Sequence, residues 1–176
     1  QEQYPTIYQF LMQWKDSLER RSDQGKNWWN LRACKYYSNF EYPEKIIWGL
    51  TADKWAFAYD DKQHYLPSNG YILTSDNIPV KYILGWINSR LMKYYFGHIG
   101  VMTAGGAYTL KAATISSLPF KIPQDTSIVE TLVERILMKK NADANSDVSN
   151  EESLMDEEIY RLYDLDEPDI RIVEGE

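Results

Sequence analysis

Helical and strand-like spacings of apolar residues alternate along the chain. Behind Tyr4-Pro5, residues Ile7, Phe10, Leu11, Trp14 and Leu18 recur at i, i+3, i+4, i+7 and i+11. That stripe predicts an amphipathic helix, opened by proline in its first turn and closed by Glu19, Arg20 and Arg21. SDQGKN (22–27) then leads into Trp28 to Trp48, WWNLRACKYYSNFEYPEKIIW. The aromatics of this run fall on every helical face, which excludes a simple amphipathic helix. Its end, KIIW (45–48), reads as the first buried strand of a sheet. WAFAY (55–59) suits a second strand, DDKQHY (60–65) a polar turn, and YILT (71–74) after Asn69-Gly70 a third strand. Asn77 and Pro79 start the clearest helix. Its stripe is Val80, Ile83, Leu84, Ile87, Leu91 and Tyr94, with Gly97 as its C-cap. HIGVMTAGGAY (98–108) reads as a glycine-bearing loop, and LKAATISSLPFKIP (110–123) as one or two short strands.

Beyond Pro123 the pattern changes in kind. Ile128, Leu132, Ile136 and Leu137 are in helical register, with Asp125 or Thr126 as N-cap and Lys139 and Lys140 at the far end. NADANSDVSN (141–150) is polar and reads as a mobile linker. Leu154, Ile159, Leu162 and Tyr163 mark another helix, and Asp166-Glu167-Pro168 opens a last short one. The expectation is an α/β (α+β) body over 1–123, a mixed sheet with packed helices, followed by a helical appendage over 124–176.

The charge follows the same division. The net charge of −7 splits into 14 Lys and Arg against 10 Asp and Glu up to Pro123, and 5 against 16 after it. A mildly basic body with an acidic tail leaves a nucleic-acid partner open for the body and not for the tail. No stretch approaches the roughly 20 apolar residues of a membrane span, and the single Cys34 fits a reducing compartment. The chain opens at Gln1 without Met, basic leader or apolar signal core, which reads as a fragment of a longer, cytoplasmic protein.

Reaction chemistry finds little footing. His64 and His98 lack ligand-spaced partners for zinc, and Cys34 has no local base. Asp60-Asp61-Lys62, Glu44-Lys45 and Pro168-Asp169 only graze a metal-dependent nuclease signature. Gly105-Gly106 lacks the strand-to-helix setting of a phosphate-binding loop. No catalytic residue, metal or cofactor is therefore expected in this fragment. What stands out is aromatic rings interleaved with Arg32, Lys35 and Lys45, the composition that stacks on bases and holds phosphates. An aromatic core wrapped in solvated charges has the same composition.

Several segments in order resemble the C-terminal specificity (target recognition) domain of TaqI-like and Eco57I-like adenine-specific DNA methyltransferases, including the fused type IIG restriction–modification enzymes. They are YPTIYQFLMQWKDSLERRSDQGKNWWNLRACKYYSNFEYPEKIIW, the weakly patterned strand region after it, YILGWINSRLMKYYF, GGAYTLKAATISSLPFKIP and EEIYRLYDLDEPDIRIVEG. The resemblance spans nearly the entire chain; the polar run 141–150 is its one evident departure. It implies a double-stranded DNA partner and an N-terminal methyltransferase portion of the same parent chain. S-adenosylmethionine and the methylation loop would belong to that portion.

Family motifs here mark the scaffold, whereas reading residues are expected on loops. By position these are Lys62, Gln63 and His64 in the polar turn, Thr103, Gly105, Gly106, Tyr108 and Lys111 around the glycine loop, and Lys35, Tyr36 and Tyr37, with Lys54. On that expectation the donor chemistry of Gln63 would suit adenine and that of Lys62 guanine in the major groove, while Lys35, Lys54 and Lys111 would hold phosphates. Trp14, Trp28, Trp48, Trp86 and Phe96 are assigned to the core. Two other readings fit parts of the pattern: a protein–protein interaction domain seated by the C-terminal helices, and a sugar-stacking module built on the tyrosines and tryptophans.

Overall fold

A computed structural model describes residues 3–30 and 37–175. The chain forms two compact units, 1–38 and 39–176. The first contains α1 (Pro5–Met12) and α2 (Lys15–Glu19). The expected single helix is thus interrupted at Gln13 and Trp14. None of its apolar stripe is buried: Ile7, Phe10 and Trp14 are all more than half exposed. Trp14 is therefore not a core residue, a correction to the sequence reading. Trp28 instead joins a ring cluster with Tyr8 and Trp29, centroids 5.4–5.7 Å apart. Arg21 braces this loop by donating from its guanidinium to the carbonyls of Trp28 (2.9 Å) and Asn30 (2.8 Å).

After the short turn α3 (Tyr37–Phe40), the second unit is organised on β1 (Lys45–Gly49). Chain order then runs β2 (Thr51–Ala52), β3 (Ala58–Asp60), β4 (Gly70–Leu73), α4 (Val80–Asn88), α5 (Arg90–Ile99), β5 (Val101–Met102), β6 (Tyr108–Thr109), α6 (Ala112–Ile115), α7 (Ser127–Ala142), α8 (Ser149–Leu162) and α9 (Glu167–Glu174). The chain is mixed α/β with a helical C-terminal region. Among the described residues the strands form two small sheets, ordered β3-β1-β4 and β2-β6-β5, with every pairing antiparallel.

KIIW is the central strand of its sheet, as its β-branched, two-face-buried composition requires. Trp48 lies opposite Tyr71, the rings stacked with centroids 5.4 Å apart, and its indole N–H donates to the Leu110 carbonyl at 2.9 Å. α4 packs on this sheet with one side and on α7 with another, which is why seven of its nine residues are buried. The long helix expected from Pro79 to Gly97 is two helices. Ser89, wholly buried and extended (ψ 154°), breaks it; its hydroxyl donates to the Trp86 carbonyl at 2.7 Å and accepts the Met92 N–H at 3.3 Å. α5 also continues through Gly97 to Ile99.

Residues 110–123 are not strands. They hold the single turn α6 and an irregular run whose carbonyls are taken by side chains, Lys121 by the Tyr82 hydroxyl at 2.5 Å and Pro119 by that of Tyr163. Val129, Leu132, Val133, Met155 and Ile159 place α7 and α8 in the same hydrophobic core as β1 and α4. Between them, 143–148 is a short connection. Val148 is buried, and the Lys140 amine donates to the carbonyls of Ala144 (3.2 Å) and Ser146 (2.8 Å). α9, the last short helix, starts with a capping box, Asp166 and Asp169 each accepting the other's backbone N–H. Among the described residues no helix is long and apolar enough to cross a membrane.

Candidate nucleic-acid interface

Buried charge shapes the first candidate surface. The β1–β3 register sets Lys45 opposite Asp60, and their side chains pair at 2.7 Å with essentially no solvent contact. The Lys45 amine also donates to the Phe40 carbonyl at 2.9 Å. Asp60 is held from the other side too: its carboxylate accepts the backbone N–H of Lys62 (2.9 Å) and of His64 (3.0 Å), and lies 2.8 Å from the His64 ring Nδ1. Burial alone would raise the Asp60 pKa. The hydrogen bonds from Lys45, His64 and the loop amides overcome that and hold it well below the usual carboxylate range.

Wrapped around one carboxylate, Lys62, Gln63 and His64 form a tight loop with exposed side chains. Gln63 sits at φ +55°, a left-handed conformation a non-glycine residue adopts only when its surroundings demand it. Its amide Nε2 donates to the Glu41 carbonyl at 2.7 Å, leaving a second N–H hydrogen and Oε1. Tyr65 stacks on Phe40 at 4.7 Å and closes the loop.

The glycine-bearing segment is a hairpin rather than an open loop. Thr103 and Ala107 bond across it, the Thr103 N–H to the Ala107 carbonyl (2.8 Å) and the Ala107 N–H to the Thr103 side-chain Oγ1 (3.1 Å). Gly106 turns the chain at φ +83°, and Thr103, Gly105 and Gly106 are exposed. Tyr108 departs from the sequence placement. It is half-buried, with Trp55 and Phe96 at 5.8 and 6.0 Å, so much of its ring serves packing. Lys54 follows β2 at the end that pairs with Tyr108, the hairpin side, whereas Lys111 leaves β6 at the opposite end. Lys35 and Tyr36 lie outside the described residues; Tyr37 opens α3 and is exposed.

These residues are not gathered into one patch. Asp60 pairs at the start of β1, while β2 and the second sheet branch off beyond its end at Gly49. The Lys62 loop and the hairpin therefore stand at opposite ends of that strand.

Ion pairing sorts the remaining cations. Between residues 39 and 123, Lys45 is consumed by Asp60. Lys81 is taken by Glu134 (2.7 Å), Arg90 by Asp156 (3.3 Å) and Glu174 (3.0 Å), and Lys121 by Asp164 (3.3 Å). The acids on and around the C-terminal helices thus claim three body cations. Lys54, Lys62, Lys93 and Lys111 remain exposed with no acidic partner among the described residues. Lys93 carries no loop or turn signal in the sequence, because it lies in a segment whose apolar stripe predicts a helix. Among the described residues no cluster of His, Cys, Asp or Glu is arranged to hold a metal ion.

The family model of the TaqI-like C-terminal specificity domain matches residues 3–120. The chain belongs to that family. A curated relative of this specificity domain is the type II methyltransferase M.MjaIV of Methanocaldococcus jannaschii, 26% identical over 162 residues that cover 87% of this chain and 53% of the relative. The specificity-domain chain therefore spans about half the length of that methyltransferase.

Proposed function

We propose that this chain is the double-stranded-DNA target recognition domain of a restriction–modification methyltransferase. In this reading it reads bases in a groove and so places an S-adenosylmethionine-dependent catalytic portion, elsewhere in the parent, over an adenine flipped from the stack. Membership of the TaqI-like specificity family carries the proposal; the name of the M. jannaschii relative supports the methyltransferase parent. The loop 61–64 supports the assignment of base reading. Its side chains are exposed while its backbone is pinned to a buried ion pair, the rigid presentation a specific contact needs. The free atoms of the Gln63 amide match the donor–acceptor edge of adenine, and the Lys62 ammonium matches guanine O6 and N7. Lys54 and Lys111 serve as phosphate contacts, and the fragment itself carries no reaction centre.

The test is Lys62→Ala and Gln63→Ala in the complete parent enzyme, read by sequencing the methylated sites it leaves in DNA. Each change is expected to relax choice at one base position by roughly 5- to 150-fold, the equivalent of about 1–3 kcal/mol, with melting unchanged. An unaltered site pattern in both variants would remove this loop from the reading surface.

A further inference from the structure

The glycines of the second unit divide by what a methyl group would meet. At Gly85 a Cβ would lie 2.5 Å from Val129 and 2.8 Å from the Met155 sulfur; at Gly100 it would lie 2.2 Å from the Phe96 ring. Packing demands glycine at both. Gly97 is different. It lies within α5, is exposed, and a Cβ there would meet nothing within 4 Å. A glycine inside a helix costs stability relative to alanine, and nothing inside the molecule requires this one. Its remaining use is to let another backbone approach the helix closely.

The surroundings say which backbone. Lys93, Tyr94, Gly97 and His98 line one wall of a cleft of about 520 Å³, with Met102 and Tyr108 at the hairpin side. Lys93 is exposed with no acidic partner among the described residues. The carbonyl of Tyr94 can only accept, so the 3.0 Å contact fixes the proton on His98 Nδ1 and leaves Nε2 available to a ligand. Glu174, the acid that also lines the cleft, is paired with Arg90 at 3.0 Å, which it shares with Asp156 at 3.3 Å.

We propose that this face of α5 is a second DNA contact. A strand of the duplex passes over Gly97, close enough that a methyl group would obstruct it, with Lys93 on one phosphate and His98 beside the next. The contact rests on the recognition reading above and adds to it a grip that carries no sequence information.

The test uses the full 176-residue chain and a labelled pool of random-sequence duplexes of about 30 base pairs, titrated over a range of salt. Gly97→Ala is expected to raise the melting temperature by about 2–4 °C while weakening duplex binding about tenfold. Lys93→Gln is expected to melt unchanged and to lower the salt slope by about 1. A purely structural glycine cannot gain stability and lose affinity together. If the unchanged chain binds and Gly97→Ala and Lys93→Gln bind identically to it, this contact is wrong and the recognition reading stands. If the unchanged chain binds no duplex even at low salt, both fall.

Discussion

The Lys62–His64 loop and the Thr103–Ala107 hairpin differ in what holds them. The first is wound around a carboxylate that is itself paired with a buried lysine, and it keeps a glutamine in a left-handed conformation. The second is closed by two backbone bonds, one bond to the Thr103 hydroxyl and a left-handed glycine, and its neighbour α5 is tied by Arg90 to Asp156. A buried ion pair fixes one; local turn geometry fixes the other. The proposed base reading falls on the loop whose conformation is set by the interior, and the proposed backbone grip falls beside the hairpin. A surface that discriminates needs a shape dictated from within, whereas one that only holds tolerates simpler support.

The largest effect should come from Lys45→Met. It leaves the Asp60 carboxylate buried without its cation, at a cost of about 3–5 kcal/mol, measurable as a lower denaturant midpoint. Adding Asp60→Leu to that variant should restore much of the stability without restoring the loop. Hydrogen exchange at the Lys62 and His64 amides, which lose their acceptor, would separate the two. If their protection survives in the double variant, the carboxylate is not what shapes the loop.

Acidification should distinguish the two regions next. Burial raises the Asp156 pKa to about 6, only partly opposed by the Arg90 N–H and charge, with Glu174 and Glu152 adding to the rise. A carboxylate more basic in the fold than in the unfolded chain destabilises the fold when ionised. Stability should therefore increase as pH falls from about 6 toward 4, by up to about 3 kcal/mol. Asp60 acts in the opposite sense. Its depressed pKa contributes stability that is present above its unfolded value near 4 and is lost only below it. Asp156→Asn should flatten the stability profile between pH 4 and 6 and leave the acid limb intact. A slope unchanged in that variant would assign the titration to another group.

The smallest effect tests the hairpin. Gly106→Ala meets no neighbouring atom, so its cost is the left-handed backbone alone, about 1 kcal/mol, or about 2–4 °C of melting temperature. Gly105→Ala, without a positive φ, should melt like the unchanged chain. Equal melting of both variants would mean the hairpin relaxes freely and is not set by Gly106.

Much of the framework was legible from local pattern. KIIW and YILT announce themselves by β-branched composition, and the last helix by its Asp166-Glu167-Pro168 opening. What failed to show depends on contacts distant in sequence. Ser89 breaks a continuous apolar stripe because a buried hydroxyl finds the Trp86 carbonyl, and no periodicity reports that. The prolines after Leu118 suggest strand ends, yet the carbonyls of Pro119 and Lys121 are taken by Tyr163 and Tyr82, both distant in sequence. The stripe expected on one helix is divided between α1 and α2, and amphipathic spacing says nothing of whether a partner surface buries it; Trp14, between them, is exposed. In the candidate site, the exposure of Lys62, Gln63 and Thr103 was readable from turn composition. The Lys45–Asp60 pair was not, because it exists only through strand register. Tyr108 looked like a loop residue until its strand turned it toward Trp55 and Phe96.

The seam at Gly85 has a consequence for how such chains diverge and can be recombined. Side chains from two other helices, Val129 and Met155, fill the space a methyl group there would occupy. A change at any one of these positions demands compensation at the others, so the three drift together or not at all. Exchanging surface loops between relatives leaves the seam untouched, whereas a crossover placed between α4 and α8 splits residues whose sizes must match.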